Sequence, residues 1–410
     1  MRVLVLSSVY PSATIPTRGI FVHERTRHLS PVDRLEVVAP VSWFPLNRLL
    51  RGKDRALVPA AGIRDGVSVS YPRFLSIPRV GKSLDGLLYF ASVLPALLHL
   101  RRRFRFDLID AHFAYPDGLA GILLGRLFDV PVVVTLRGTE VRLARSRLRR
   151  PQVALVVRRA ARVIAVSQSL ADLAVSLGAP QDRVRVIPNG VDGGRFRPGP
   201  RADARKRLGL PADRPLIVSV GGLTERKGHH RVIAALPRLL LRHPGALYAA
   251  VGGPSVEGNN EPLLRRLAAE LDLEGHVLLP GATPHEEIAT WLQAADLFCL
   301  ATANEGRPNA VMEALACGVP VVTTDVGGNR EIVEPGRDGL LVPFGDGPAL
   351  ERALETALER RWDHEAISAR ARGRTWEQTG AQVVATFEEV LRAPRGPAPR
   401  PLQQPVGRRP

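Results

Sequence analysis

The sequence predicts an α/β protein made of two doubly wound parallel-sheet domains that face each other across a cleft. Three observations predict it. Short apolar runs alternate with helical patterns along most of the chain, which is the signature of parallel sheets covered on both faces. The strand-like runs are apolar throughout rather than alternating, as doubly buried strands must be. The pattern also stops near residue 192 and starts again near 216.

In the first half the strand-like runs are 3–7, 35–39, 67–71, 108–111, 132–135, 163–166 and 184–187. In the second half they are 216–220, 247–251, 277–279, 297–300, 319–323 and 339–342. Helical spacing is read at 118–126, 169–177, 230–242, 261–271, 286–294, 309–316 and 348–360. The stretch 193–215, rich in Gly, Pro, Arg and Asp, reads as a linker with one short helix. The expected division is therefore 1–192 and 193–375. An amphipathic helix at 376–391 is expected to pack back on the first domain. The final stretch, 393–410, has six prolines, four arginines and no acid, and is expected to stay disordered. In doubly wound sheets, ligands bind outside the carboxyl ends of the strands, so the cleft between the domains is the expected site.

Composition removes several function classes. The chain has 410 residues and only two cysteines, Cys299 and Cys317, so no disulfide framework or Cys-based metal site is available. No D-x-D motif occurs, and no obligatory metal ion or other cofactor is expected. The best candidate for a membrane span, 84–100, is interrupted by Asp85, Gly86 and Pro95 and followed by three arginines. The N-terminus reads as a buried strand rather than a signal sequence. A reducing, cytoplasmic setting is expected.

The net charge is +17. Residues 1–190 carry 29 Lys+Arg against 13 Asp+Glu, or +16, and the remainder 28 against 27, or +1. A basic first half points to an anionic partner. The stretch 142–162 holds eight arginines and no acid. It reads either as a solvated face or as a surface for anionic lipid. Nucleic acid fits poorly, because Phe128 is the only aromatic residue between Pro116 and Phe196 and no stacking platform exists.

Two stretches carry chemistry. In Val220-Gly-Gly-Leu-Thr-Glu-Arg-Lys-Gly228, a strand enters and a helix leaves. Glycines let a phosphate approach backbone N–H groups, and Arg226 and Lys227 add charged donors. The plain alternative is a strand–turn–helix with solvated charges. In Glu305-Gly-Arg-Pro-Asn-Ala-Val-Met-Glu313, Pro308 opens a helix; Glu305 precedes it and Glu313 lies on it inside an apolar run. A carboxylate in such a run is rarely buried unpaired.

The run EGRPNAVMEALACGVP at 305–320 resembles the E-x7-E motif of retaining GT-B glycosyltransferases of family 4. The resemblance continues in PTRGIFVHE at 16–24, HFAYPDGLAG at 112–121, IPNGVD at 187–192, VGG with RKG at 220–228 and VGGP at 251–254. It spans roughly 1–390 and implies the GT-B arrangement of two Rossmann-like domains. It also implies roles. Glu313 would hold the ribose of a nucleotide-sugar, and Glu305 the donor sugar's hydroxyls. Backbone groups from Arg307 and Pro308 through Asn309, Ala310 and Val311 would meet sugar and phosphate. Arg226 and Lys227 would hold the pyrophosphate, beside Gly222. Gly19 would let backbone approach the donor phosphates or the acceptor, and His112 would lie near the reacting sugar as a positioning group more than a base. Arg137 and Glu140, after the next strand, are candidates for the acceptor side.

Two positions depart from the family pattern. Many relatives carry a phosphate-binding arginine where this chain has Gly222, and many carry Phe where it has Arg307. The implied function is transfer of a sugar, with retention, from a UDP- or GDP-sugar to a glycan or lipid-linked acceptor, in cell-surface polysaccharide synthesis. Peripheral contact with an anionic inner membrane face is expected. The alternatives are a non-catalytic basic protein that binds anionic membrane or nucleic acid, and an epimerase of the same fold.

Overall fold

The computed structural model describes residues 1–45, 58–255 and 257–393. The first half contains β1 (Arg2–Leu6), β2 (Arg34–Val38), β3 (Val41–Trp43), β4 (Ala61–Arg64), β5 (Val67–Ser70), β6 (Arg73–Leu75), β7 (Leu108–His112), β8 (Val132–Leu136), β9 (Arg162–Ala165) and β10 (Val184–Val186). The second half contains β11 (Leu216–Val220), β12 (Leu247–Val251), β13 (Val277–Gly281), β14 (Leu297–Leu300), β15 (Val321–Thr324) and β16 (Gly339–Val342).

Eight strands form one sheet in the order β10-β9-β8-β7-β1-β2-β5-β4, and six form another in the order β13-β12-β11-β14-β15-β16. The six-stranded sheet is parallel throughout. The larger sheet departs from the expectation at one edge, where β4 pairs antiparallel with β5. A hairpin of this kind needs only the turn Asp65-Gly66, both at positive φ. A third, two-stranded sheet joins β3 and β6. In each large sheet the strand order reverses once, between β1 and β7 and between β11 and β14. Loops diverge at those reversals and open a crevice.

Both sheets are covered on both faces, which is why their strands are apolar. On one face of the first sheet, the helices Asp85–Arg103, Leu119–Phe128 and Arg150–Arg159 bury Val93, Leu97, Leu124, Val153 and Val157. The other face takes the helix Ile20–Arg27 and, from the far end of the chain, Trp376–Arg392. The latter buries Val383, Val384, Phe387 and Val390 against Val3, Val5 and Ile164. Its start is fixed by a capping box between Thr375 and Gln378. Just before this helix, Val191 bridges to Thr375. Residues 394–410, expected to be disordered, lie outside the described residues.

The helix Asp85–Arg103 was not foreseen, because Pro95 interrupts its sequence. Pro95 lies on the exposed side of the helix. No helix among the described residues is long and apolar enough to cross a membrane.

Candidate active site

The carboxyl ends of β11 and β14 meet at the reversal of the second sheet. β11 runs into Gly221 and Gly222, and the backbone there turns back on the neighbouring loop. A Cβ on Gly252 would fall 1.9 Å from the Gly221 carbonyl oxygen, so only glycine allows this approach. The turn Glu225–Lys227 follows and ends on Gly228 at φ 79°. It carries Arg226 and Lys227 to the loop after β14. Lys227 Nζ donates to Glu305 Oε1 at 2.7 Å, and Arg226 Nη1 donates to the same oxygen at 3.0 Å. Thr302 Oγ1 adds a third donor at 3.2 Å. Arg226 also bonds the Asn304 carbonyl and, through Nε, Glu257 at 2.9 Å. Burial pushes the Glu305 carboxyl up, but Lys227 and Arg226 outweigh it and hold the group ionised below its ordinary range.

The helix Asn309–Ala316 starts immediately after, with Pro308 at its N-cap and no side-chain cap there. Val311 is wholly buried in the core, so only its backbone is available to a ligand. Glu313 faces a narrow crevice shared with Glu24, Asp192, Arg195 and His285. His285 Nε2 lies 3.9 Å from its Oε1. Burial raises the Glu313 carboxyl from 4.5 to about 7; Arg195 opposes the rise, and Glu24 and Asp192 add to it. Glu305 and Glu313 thus share one loop–helix unit but are shifted in opposite directions.

The first sheet contributes a second buried cluster. Asp110 and His112 sit on β7 and are both fully buried. Arg25, from the helix Ile20–Arg27, pairs with Asp110 and donates to Thr135 Oγ1 at 2.7 Å. Arg137 Nε donates to His112 Nδ1 at 3.1 Å, which leaves the His112 proton on Nε2, 3.1 Å from Asp110 Oδ2. Burial and then Arg25 push the imidazole down to about 3, so it is neutral. Both ring nitrogens are engaged. In this state His112 holds neighbours in place and has no free nitrogen for a proton transfer.

Arg137 joins the two halves. Its Nη1 donates to Asn189 Oδ1 at 3.1 Å, and Asn189 Nδ2 donates to Asn309 Oδ1 at 2.8 Å. Close backbone contact accompanies this bridge. A Cβ on Gly306 would fall 2.2 Å from the Arg137 carbonyl oxygen, and one on Gly138 would fall 2.7 Å from the Gly306 nitrogen. Glu331 completes the contact by accepting from the N–H groups of Gln168 and Ser169, at 2.9 and 3.2 Å, at the start of the helix Gln168–Ser176.

Several of the expected site residues also have local structural partners. Glu140 is fully buried, and its oxygens accept from the N–H groups of Ala114, Arg137 and Gly138 at 2.9–3.1 Å. It holds the loop together through these three backbone donors. Gly19 is required by its own loop, since a Cβ there would fall 2.2 Å from the Val9 carbonyl oxygen. Gly222 lies against Ser255, 3.0 Å from a notional Cβ. The Arg307 side chain is partly buried, 3.9 Å from Glu331, at the contact between the halves. The sequence reading missed Arg25, Asp110, Asn189, Thr302 and Asn309's bridging amide. Asp110 was findable: an acid inside the apolar strand LIDAH must have a buried partner. Among the described residues, no group of three or more His, Cys, Asp or Glu side chains is arranged to hold a metal ion.

Two family profiles match consecutive parts of the chain: "Glycosyltransferase Family 4" over 16–195 and "Glycosyl transferases group 1" over 200–374. The putative teichuronic acid biosynthesis glycosyltransferase of Bacillus subtilis is 31% identical over 377 residues, covering 90% of each chain. The D-inositol 3-phosphate glycosyltransferase of Thermobispora bispora is 31% identical over 368 residues, covering 83% of this chain and 84% of that one. Among solved structures, Anabaena HepE in complex with UDP and glucose superposes with a TM-score of 0.73. It is 22% identical, with 94% of this chain and 99% of that one covered.

Proposed function

This chain belongs to glycosyltransferase family 4, with the GT-B fold, and from that premise we propose the reaction it runs. It moves a sugar from a nucleotide-diphosphate sugar, a UDP- or GDP-sugar, to a glycan or lipid-linked acceptor in cell-surface polysaccharide assembly. The configuration at the anomeric carbon is retained, and no metal is used. The protein works in the cytoplasm, with its acceptor met at the inner membrane face. The observation that carries this reading is the convergence of Arg226 and Lys227 on Glu305, beside an open helix start. The UDP bound to HepE, a protein of the same fold, supports the donor class. The Bacillus relative's name supports the polysaccharide role.

The chemistry follows from the charges. Before a donor arrives, Glu305 pairs with both cations and Glu257 with Arg226. A pyrophosphate carries more charge than one carboxylate and competes for both. As it takes them, Glu305 is released to accept hydrogen bonds from the sugar's hydroxyls. When the glycosidic bond breaks, negative charge builds on the leaving phosphate, and Arg226 and Lys227 stabilise it there. Such stabilisation grows toward the transition state, which is where it accelerates the step. The two cations supply the charge that a divalent ion supplies in other transferases. Glu313 meets the ribose hydroxyls from its crevice. The leaving phosphate, on the same face as the departing bond, takes the acceptor's proton, which accounts for retention without a free His112 nitrogen.

A thermal-shift screen with UDP, GDP, ADP and dTDP tests the donor half of this reading, with Glu313→Ala alongside. A ligand that binds only the folded state stabilises it by about 2.7 kcal/mol at a hundred times its dissociation constant. One nucleotide should raise the melting temperature of the parent and not of the variant. No shift with any of the four, in folded protein, overturns the reading.

A further inference from the structure

We propose that the outward side of the helix Asp85–Arg103 is a docking surface for an anionic bilayer; this deepens the membrane-side acceptor reading and rests on it for its purpose. The helix has 19 residues and so is about 28 Å long. Val93, Leu97 and Leu100 bury its inner side against the sheet. The outer side carries Leu84, Leu87, Ala91, Pro95, Leu98 and Arg102, all exposed and spaced by three or four residues. Leu84, Leu87 and Leu98 are 51%, 52% and 50% exposed. An apolar stripe of this length is unusual on a water-facing helix, where the outer positions are ordinarily polar.

Charge frames the stripe and selects its partner. Arg101, Arg102 and Arg103 end the helix. At its start lies the arginine-rich loop 145–149. Gln152 Nε2 ties the two together, donating to the Ser83 carbonyl at 3.0 Å and to the Leu148 carbonyl at 2.9 Å. Leu148 is 67% exposed and extends the apolar surface among Arg147, Arg149 and Arg150. The one acid of the helix, Asp85, is buried and paired with Lys82 at 2.9 Å. Leucine flanked by arginine, on a helix with no exposed acid of its own, matches a surface of acyl chains beneath anionic headgroups. The helix is too polar to span, so it lies flat.

The stripe also points to the cleft. Tyr115 Oη accepts from the Gly86 N–H at 3.2 Å and donates to the Lys82 carbonyl at 2.7 Å. Tyr115 follows His112 at the carboxyl end of β7. Arg101, at the other end of the helix, reaches the Phe106 carbonyl, which precedes β7. The helix therefore runs from the cleft side of the sheet to its far side. Docked along its length, it holds the cleft mouth at the headgroups, where a lipid-linked acceptor is anchored.

Cosedimentation of the full chain with vesicles tests this, comparing phosphatidylglycerol mixed with phosphatidylcholine against phosphatidylcholine alone. We expect at least tenfold tighter association with the anionic vesicles. Leu87→Ser combined with Leu98→Ser leaves the charge unchanged and should weaken it at least tenfold, with the melting temperature and the nucleotide shift kept. Arg102→Glu with Arg103→Glu should do the same. Anionic association untouched by the leucine changes means plain adsorption of a basic protein, and overturns the proposal. So does a stripe buried in a dimer that the leucine changes dissolve, with no vesicle association. A nucleotide shift without vesicle association sinks the docking surface alone; vesicle association without any nucleotide shift sinks the donor reading alone.

Discussion

In the first half of the molecule Asp110 lies beside Arg25 and His112, and water reaches none of them. In the second half Glu305 lies between Arg226 and Lys227, and the Arg226 side chain keeps a third of its surface in water. Both clusters set an acid among nitrogen donors, one within a central strand and one in the loop that follows a central strand. The difference is access. A sealed pair has no exchange partner, so its charges fix geometry. A pair at the edge of water can trade its carboxylate for another anion, so its charges can do chemistry.

Removing each carboxylate breaks that comparison open. Glu305→Gln should lower turnover by about 10²–10³-fold, the scale seen when a transition-state contact is lost. Its stability cost should be at most about 1 kcal/mol, because partly exposed cations regain water. Asp110→Asn should invert the pattern. It strands Arg25 as a buried unpaired cation, at a cost of about 3–5 kcal/mol, while turnover per folded molecule changes little. Paired melting curves and initial rates on the two variants decide the matter. Equal losses of stability would mean that the clusters differ in place only.

The sequence made one of these clusters readable and hid the other. Glu305 and Lys227 sit in loops among Gly and Pro, where a charge stands out and its spacing to Glu313 can be counted. Arg25 and Asp110 lie 85 positions apart, each inside an element that reads well without it. Their pairing depends on strand order, and strand order follows from long-range packing that no local window contains. The helix Asn309–Ala316 was legible to the residue because Pro308 fixes its start. The antiparallel edge β4 was not, since an edge strand exposed along its length lacks the continuous apolar run of its neighbours. The helix Asp85–Arg103 was obscured by Pro95.

pH sharpens the comparison, because the two halves titrate in opposite senses. His112 is depressed from 6.5 to about 3, so the stability it gives is present above pH 6.5 and is lost as pH falls toward 3. Glu313 is raised from 4.5 to about 7, so its contribution is complete below pH 4.5 and is lost as pH rises through 7. Glu313→Gln removes the second dependence. The variant should match the parent near pH 4.5 and exceed it above pH 7 by on the order of 3 kcal/mol. Melting temperatures across pH 4.5–8 check this. A constant difference between variant and parent would show that Glu313 is not held in its neutral form.

The smallest expected effect concerns the point where the halves communicate. Among the described residues, Asn189 is the one side chain that bonds both Arg137 and Asn309. Its amide orientation is dictated by them: Oδ1 must face the guanidinium, and Nδ2 must face the Asn309 carbonyl oxygen. Through it the sealed cluster of the first half reaches the helix that carries Glu313. Asn189→Ala should cost about 1 kcal/mol per lost bond, too little to unfold the protein. The loss belongs in kcat/KM if the bridge forms only when the halves close on substrate, and in melting temperature if it stands permanently. A double-mutant cycle with Asn309→Ala separates these. Bridging residues in contact couple by about 0.5–3 kcal/mol. Coupling in kcat/KM without coupling in stability would make the bridge a closure contact that lets the rigid first half position the exchangeable second one. Coupling in neither would mean that the glycine contacts at Gly138 and Gly306 hold the halves unaided.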